Sequence, residues 1–166
     1  MTAPPVSVLF LCTGNSARSI LAESILRHWG RGRFVACSAG SHPTGTVQPL
    51  ALELLQRTGL PTDGLRSKPL TEFTGRGAPD IDLVITVCDA AAEACPVFPG
   101  RPITAHWSTP DPAAVNGDAD ARRHVFRHAY TELEQRIRLL VNLPLEGLDR
   151  LAQQQRIRAL AHTEAS

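Results

Sequence analysis

Lysine is almost missing from this chain: Lys68 is the only one, against sixteen arginines, and the formal net charge is just +1. That balance supplies neither the field that gathers nucleic acid nor an acidic tail, and the arginine excess reads as compositional bias rather than as a site. No apolar run approaches the roughly 20 residues that a membrane-spanning helix needs. The segment after Met1 passes straight into Val6 without the layout of a signal peptide, so the expected compartment is the cytoplasm, with no membrane partner. In that compartment the four cysteines are expected to be reduced at rest. Neither they nor the six histidines show metal-ligand spacing, and no metal is expected. There is no internal repeat and no boundary of composition. At 166 residues and 43% hydrophobic content, one domain with a proper core is expected.

What the chain does have stands at its start. The apolar run Val6 to Leu11 ends in Cys12-Thr13-Gly14-Asn15-Ser16-Ala17-Arg18-Ser19, which leads into a helical pattern. A strand, a loop and a helix N-terminus in that order aim several backbone N–H groups at one point, where the helix dipole adds partial positive charge. A tetrahedral oxyanion fits such a place. Gly14 is expected to allow the tight turn, Arg18 to fork two hydrogen bonds to the anion, and Ser19 to donate to the Cys12 sulfur. The same field favours Cys12 as a thiolate nucleophile. The plainer alternative is a buried cysteine that merely ends a core strand.

Further along, Ile20, Leu21, Ile25, Leu26 and Trp29 recur at helical spacing up to Gly30. Phe34 to Ser38 reads as a second strand, Val47 to Arg57 as a second helix, and Pro61 to Pro79 as loop with a helical turn near Leu70 to Phe73. Ile81 to Val87 reads as a buried parallel strand with Cys88 at its end, and Ile103 to Trp107 as a fourth strand running towards Asp111. Asp118 to Asn142 is a long helix whose apolar face carries Val125 or Phe126, Ala129, Leu133, Ile137, Leu140 and Val141. Leu145 to Leu160 is a further helical stretch with Leu148, Leu151, Ile157 and Leu160. Strands alternating with helices predict an α/β fold, an open parallel sheet with helices on both faces. Ligands of such sheets bind beyond the carboxyl ends of the strands, where Cys12, Cys88 and Asp111 all fall.

Taken in order, Leu11 to Ser19 with Ala22-Glu23, Ser38-Ala39-Gly40, Val87-Cys88-Asp89 with Cys95-Pro96, and His106-Trp107 with Asp111-Pro112 resemble the thioredoxin-coupled arsenate reductases of the low-molecular-weight tyrosine phosphatase-like family. The resemblance covers about residues 6–143 and leaves 145–166 as a C-terminal helical extension without a role. It implies a three-layer sandwich around a four-stranded parallel sheet with flavodoxin-like topology. It also implies a function in arsenic detoxification, the reduction of arsenate to arsenite without a cofactor. By this analogy Cys12 attacks arsenic while Thr13, Gly14, Asn15, Ser16, Ala17, Arg18 and Ser19 hold the oxyanion, and Asp111 protonates the departing oxygen. Cys88 then attacks Cys12, and Cys95 attacks Cys88, leaving a disulfide for an external reductant. Thioredoxin is the expected reductant, with glutaredoxin and glutathione or another small thiol as alternatives.

Other readings accompany this one. Cys88 and Cys95 are alternatively two unrelated thiols, and Asp111 before Pro112 a turn initiator. Cys37 is expected in the core with no catalytic part, His42, His124 and His128 on the surface, and His106 packed beside the site. A phosphatase working through a phospho-cysteine would use the same loop, although such enzymes of this fold usually frame the pocket with aromatics and Tyr130 is placed in the long helix. A redox-sensing or oxyanion-binding module without turnover is the third reading. Some family members bind potassium near the loop through groups matching Asn15, Glu23 and Ser38 plus an acidic residue. Here Arg66-Ser67-Lys68 offers cations instead, and Lys68 paired with Glu23 is expected to replace the ion.

Overall fold

Four parallel strands, β1 (Val6–Cys12), β2 (Phe34–Gly40), β3 (Leu83–Thr86) and β4 (Ile103–His106), make one sheet in the order β2-β1-β3-β4. They belong to a computed structural model that describes residues 4–93 and 95–162. Ala94, part of the alanine-rich segment between Cys88 and Cys95, and residues 163–166 of the extension lie outside the described residues. Helices α1 (Arg18–Trp29), α2 (Pro49–Arg57), α3 (Asp89–Glu93), α4 (Ala119–Val141) and α5 (Arg150–Ala159) flank the sheet, giving the expected α/β sandwich.

β1 is central and covered on both faces, which is why Val8 to Cys12 are all buried and apolar rather than alternating. Ile20, Leu21, Ile25 and Leu26 of α1 are wholly buried, and each such side chain contributes about 2 kcal/mol of transfer free energy. α1 packs on β1, β2 and α4, α2 closes against α1 and α4, α3 lies over β1 and β3, and α5 runs along β4. Asp118 caps α4 by accepting from the Ala121 amide at 2.8 Å. Phe126 rather than Val125 carries the apolar face of that helix.

The differences from the sequence reading are local. α2 starts at Pro49, two residues after Val47, because a residue before proline is pushed into extended backbone and Gln48 adopts it (φ −62°, ψ 125°). β2 extends two residues further than Ser38, since Ala39 and Gly40 stay paired with Leu11 and Cys12. β3 is shorter than the apolar run. The stretch from Leu145 divides into a 3-10 turn (Leu145–Gly147) and α5, which begins where Asp149 caps Ala152. Its apolar side is Ile157 and Leu160, while Leu151 is exposed. The extension is docked: the fully buried Trp107 indole N–H donates to the Ile157 carbonyl at 3.2 Å.

The register brings chemistry to one end of the sheet. Cys12 pairs with Gly40, and Leu11 pairs with Thr86, two residues before Cys88. The ends of β1, β2 and β3 are therefore level, with both cysteines at the carboxyl rim.

Candidate active site

The chain turns out of β1 at Cys12 and enters α1 at Arg18. Ala17 occupies the N-cap position and makes no side-chain cap, so the first N–H groups of α1 keep their capacity for an anion. The left-handed residue of the loop is Asn15 (φ 46°), not Gly14, whose backbone is ordinary. Asparagine tolerates that conformation better than most residues, and here the surroundings hold it. Its Oδ1 accepts from the Lys68 amide at 2.9 Å, which fixes the orientation of the side-chain amide. Its Nδ2 then donates to Ser19 Oγ at 2.8 Å and Ser38 Oγ at 3.0 Å.

This arrangement decides the direction of the next bond. With Ser19 Oγ accepting from Asn15, the Ser19 hydroxyl hydrogen is left for Cys12 Sγ, 2.9 Å away. The Asn15 amide also donates to that sulfur at 3.2 Å. Cys12 is buried, with two donors turned towards it. The outer side of the loop is held by the neighbouring chain: Gly14 O accepts from Ser67 Oγ and the Thr44 amide, each at 3.0 Å, Thr13 O from the His42 amide at 2.9 Å, and Ser16 O from the Gln48 amide at 2.9 Å. Gly40 approaches so closely that a Cβ there would lie 2.5 Å from Thr13 O.

Arg18 lies at the loop mouth, donating from Nη1 to the Thr109 carbonyl at 3.0 Å, with Nη2 at 3.7 Å from Asp111 Oδ2. Asp111 also accepts from the Ala113 amide at 3.0 Å, so the turn-initiating geometry and the placement beside Arg18 coexist. The segment carrying Asp111 is tied to α4 by the buried Arg136, which donates to Ser108 O at 3.1 Å and Glu132 at 2.9 Å. Cys88 is buried, and Thr13 Oγ1 touches its sulfur at 3.3 Å. Cys95 stands apart. It is half-buried and lines an open groove of about 660 Å³ together with Ala92, Val97, Phe98 and His106. The structure thus gathers Cys12, its loop, Arg18, Asp111 and Cys88 in one place and sets Cys95 beyond α3.

Titration behaviour separates the other groups. Burial, with Glu23 nearby, pushes the Cys37 thiol up to about 12; it is half-buried rather than fully in the core, and its thiol donates to Val8 O at 3.4 Å. Burial also raises Cys95. The hydrogen bond from His106, 2.8 Å long, holds the Asp89 carboxyl below its ordinary value. Tyr130 is buried in α4 with its hydroxyl on Glu134 at 2.7 Å, turned into the helix packing. His42, His124 and His128 are exposed. Among the described residues no group of three His, Cys, Asp or Glu side chains is arranged to hold a metal, and no helix is long and apolar enough to cross a membrane.

Several contacts escape a sequence reading. The pairing of Arg27 with Glu23 one turn away on α1 is absent from that reading, although its i,i+4 spacing is a signal for it. The close approach of Gly40, the Thr13 contact to Cys88 and the Asp89–His106 pair carry no local signal, because they depend on strand register.

Known proteins resemble this chain in sequence and in fold. The family described as low molecular weight phosphotyrosine protein phosphatase matches residues 7–156. An arsenate reductase of Halalkalibacterium halodurans is 33% identical over 131 residues, covering 79% of this chain and 91% of that protein. The crystal structure of an arsenate reductase from Archaeoglobus fulgidus superposes with a TM-score of 0.65 at 28% identity, over 82% of this chain and 99% of that one. A thioredoxin-dependent arsenate reductase of Corynebacterium glutamicum superposes with a TM-score of 0.62 at 30% identity, over 83% of this chain and 61% of that one.

Proposed function

The chain belongs to the low molecular weight phosphotyrosine protein phosphatase family, and from that premise we propose that it reduces arsenate to arsenite in the cytoplasm, as an arsenic-detoxifying enzyme. The observation that carries the proposal is the second thiol: Cys88 lies against Thr13 of the anion loop, at the end of the strand paired with the one that ends in Cys12. A phosphatase needs one thiol there. A two-electron reduction needs two.

The chemistry follows from the residues. The loop amides and the free N–H groups of Arg18 hold arsenate over Cys12, whose thiolate attacks arsenic. Asp111 protonates the oxygen that leaves as water. Cys88 then attacks the Cys12 sulfur. The Cys12–Cys88 disulfide forms, and the electron pair of the broken sulfur–arsenic bond stays with arsenic, which departs as arsenite. Attack of Cys95 on Cys88 frees Cys12 and moves the disulfide to Cys88–Cys95. α3 stands between these two cysteines and, at five residues, rises about 7 Å. Disulfide α-carbons lie about 5.5 Å apart, so the segment unwinds as the bridge forms. A thioredoxin-type dithiol protein, reaching Cys95 from its open groove, supplies the two electrons that restore the start.

The test is arsenite production by the wild type, Cys12→Ser, Cys88→Ser and Cys95→Ser, each recycled by thioredoxin or by glutaredoxin with glutathione. The expected result is repeated turnover by the wild type alone with thioredoxin, a single turnover by Cys95→Ser, and none by Cys12→Ser. Full activity of Cys88→Ser and Cys95→Ser would replace the relay with a small-thiol or phosphatase mechanism.

A further inference from the structure

Two arginines meet the segment that leads from β4 to Asp111. Arg18 comes from the anion loop and donates to the Thr109 carbonyl at 3.0 Å. Arg136 comes from α4, where it is 4% exposed, and its Nη1 donates to the Ser108 carbonyl at 3.1 Å and to Thr109 Oγ1 at 3.4 Å. Its Nη2 donates to Glu132 at 2.9 Å and to the Ala161 carbonyl of the C-terminal turn (Leu160–His162) at 3.2 Å. One guanidinium therefore joins α4, the C-terminal turn and the exit from β4.

Thr109 leaves little freedom to the carbonyl that Arg18 uses. It is buried, its amide donates to the Val87 carbonyl at 3.1 Å and its hydroxyl to the Trp107 carbonyl at 3.3 Å, so that Oγ1 is turned to accept from Arg136. A carbonyl fixed in this way takes one Arg18 N–H before any ligand arrives, and the planar fork then aims its remaining donors. Each arginine also has its own carboxylate, Asp111 beside Arg18 and Glu132 beside Arg136. As a space-filler Arg136 is a poor choice, because its buried Nε finds no partner among the described residues, a penalty that an apolar side chain would avoid. Acceptors on two other segments give the guanidinium its use.

We infer that Arg136 is a positioning residue for Arg18: by fastening Ser108 and Thr109 to α4 and to the C-terminal turn, it holds the carbonyl on which the anion-binding guanidinium is oriented. The inference rests on the reading of residues 12–19 as an oxyanion loop, and on nothing in the thiol relay.

The experiment joins calorimetric titration with inorganic phosphate to alkylation of Cys12 by iodoacetate and by iodoacetamide, followed on the Cys12 peptide by mass spectrometry. The two reagents are alike in size, but only iodoacetate brings a carboxylate for Arg18 to attract. Methionine fills the place of Arg136 without its donors. In Arg136→Met the phosphate Kd rises about fivefold and iodoacetate slows by a similar factor, while iodoacetamide keeps its wild-type rate and the far-UV spectrum stays native. An arginine that merely stabilised the fold would, on removal, loosen the loop and change both reagents alike. Phosphate affinity equal to that of wild type, or equal slowing of the two reagents, overturns the inference. Should Arg136→Met fail to fold, Arg136→Lys keeps the charge but cannot fork to the Ser108 and Ala161 carbonyls together: a smaller rise in Kd with the same reagent selectivity supports the inference, and an unchanged Kd overturns it. Because neither measurement involves arsenate reduction, a wild type that binds phosphate but makes no arsenite would end the proposed function and leave the role of Arg136 standing. A wild type that binds no phosphate would overturn the inference itself.

Discussion

The anion loop and α3 both follow a strand and both carry a cysteine, yet they are held in opposite ways. Residues 12–19 are fastened from every side: Asn15 by Lys68, Ser19 and Ser38, Gly14 by Ser67 and Thr44, and Thr13 by His42 and the close backbone of Gly40. α3 has five residues, of which only Ala91 is buried, and its side-chain anchor is one exposed pair, Asp89 with His106. Preorganised donors cost no rearrangement when an oxyanion arrives, so the loop gains from being fixed. In the proposed relay α3 has to change shape as the disulfide closes, and few buried contacts would keep that opening cheap. One site thus contains a rigid template and a yielding arm.

The comparison breaks most readily at Gly40. Gly40→Ala forces a Cβ against Thr13 O, and a loss of about 3 kcal/mol of stability is expected together with loss of measurable phosphate binding. Denaturant unfolding and phosphate titration check both; near-wild-type affinity would mean that the loop yields as easily as α3. A smaller effect sharpens the other half. His106→Ala removes the anchor of α3 and leaves the loop alone, so hydrogen exchange over residues 89–93 should speed several-fold in the reduced protein with phosphate affinity unchanged. The same amides should lose protection when wild type is oxidised to the Cys88–Cys95 disulfide, and equal protection in both forms would argue against unwinding.

The smallest effect concerns acid. Because the folded-state pKa of Asp89 is depressed, its bond to His106 stabilises α3 at pH values above the unfolded carboxylate value of about 3.9 and is lost as pH falls through the lower folded value. The Asp89 carboxyl resonance should titrate below the ordinary aspartate range in wild type and return to it in His106→Ala. An ordinary midpoint in wild type would show the anchor absent in solution.

Much of the rigid half was legible in the sequence, because its information is local. Cysteine, hydroxyls, arginine and a helix start occur within eight residues, whereas the pairing of Lys68 with Glu23 came from the resemblance to potassium-binding family members. The turn itself was misassigned to Gly14 because glycine is the default left-handed residue, whereas the bonds that hold Asn15 left-handed come from Ser38 and Lys68, far along the chain. The yielding half was readable only as two cysteines around alanines. The Thr13–Cys88 contact and the Asp89–His106 pair arise from parallel register across β1, β3 and β4, which no window of sequence contains. Leu151 stands among the apolar residues of the stretch Leu145 to Leu160, but the docking of Ile157 under Trp107 leaves it on the exposed side.

That docking has an optical consequence. The protein has two tryptophans in unlike settings: Trp107 wholly enclosed, with its ring 6.4 Å from Phe10 and its indole nitrogen on the C-terminal helix, and Trp29 39% exposed beneath the Arg138 guanidinium. An enclosed indole emits to the blue of a hydrated one, so the spectrum contains two separable reporters. The blue component follows the strand that leads to Asp111 and the seating of α5, and the red component follows the packing of α1 on α4.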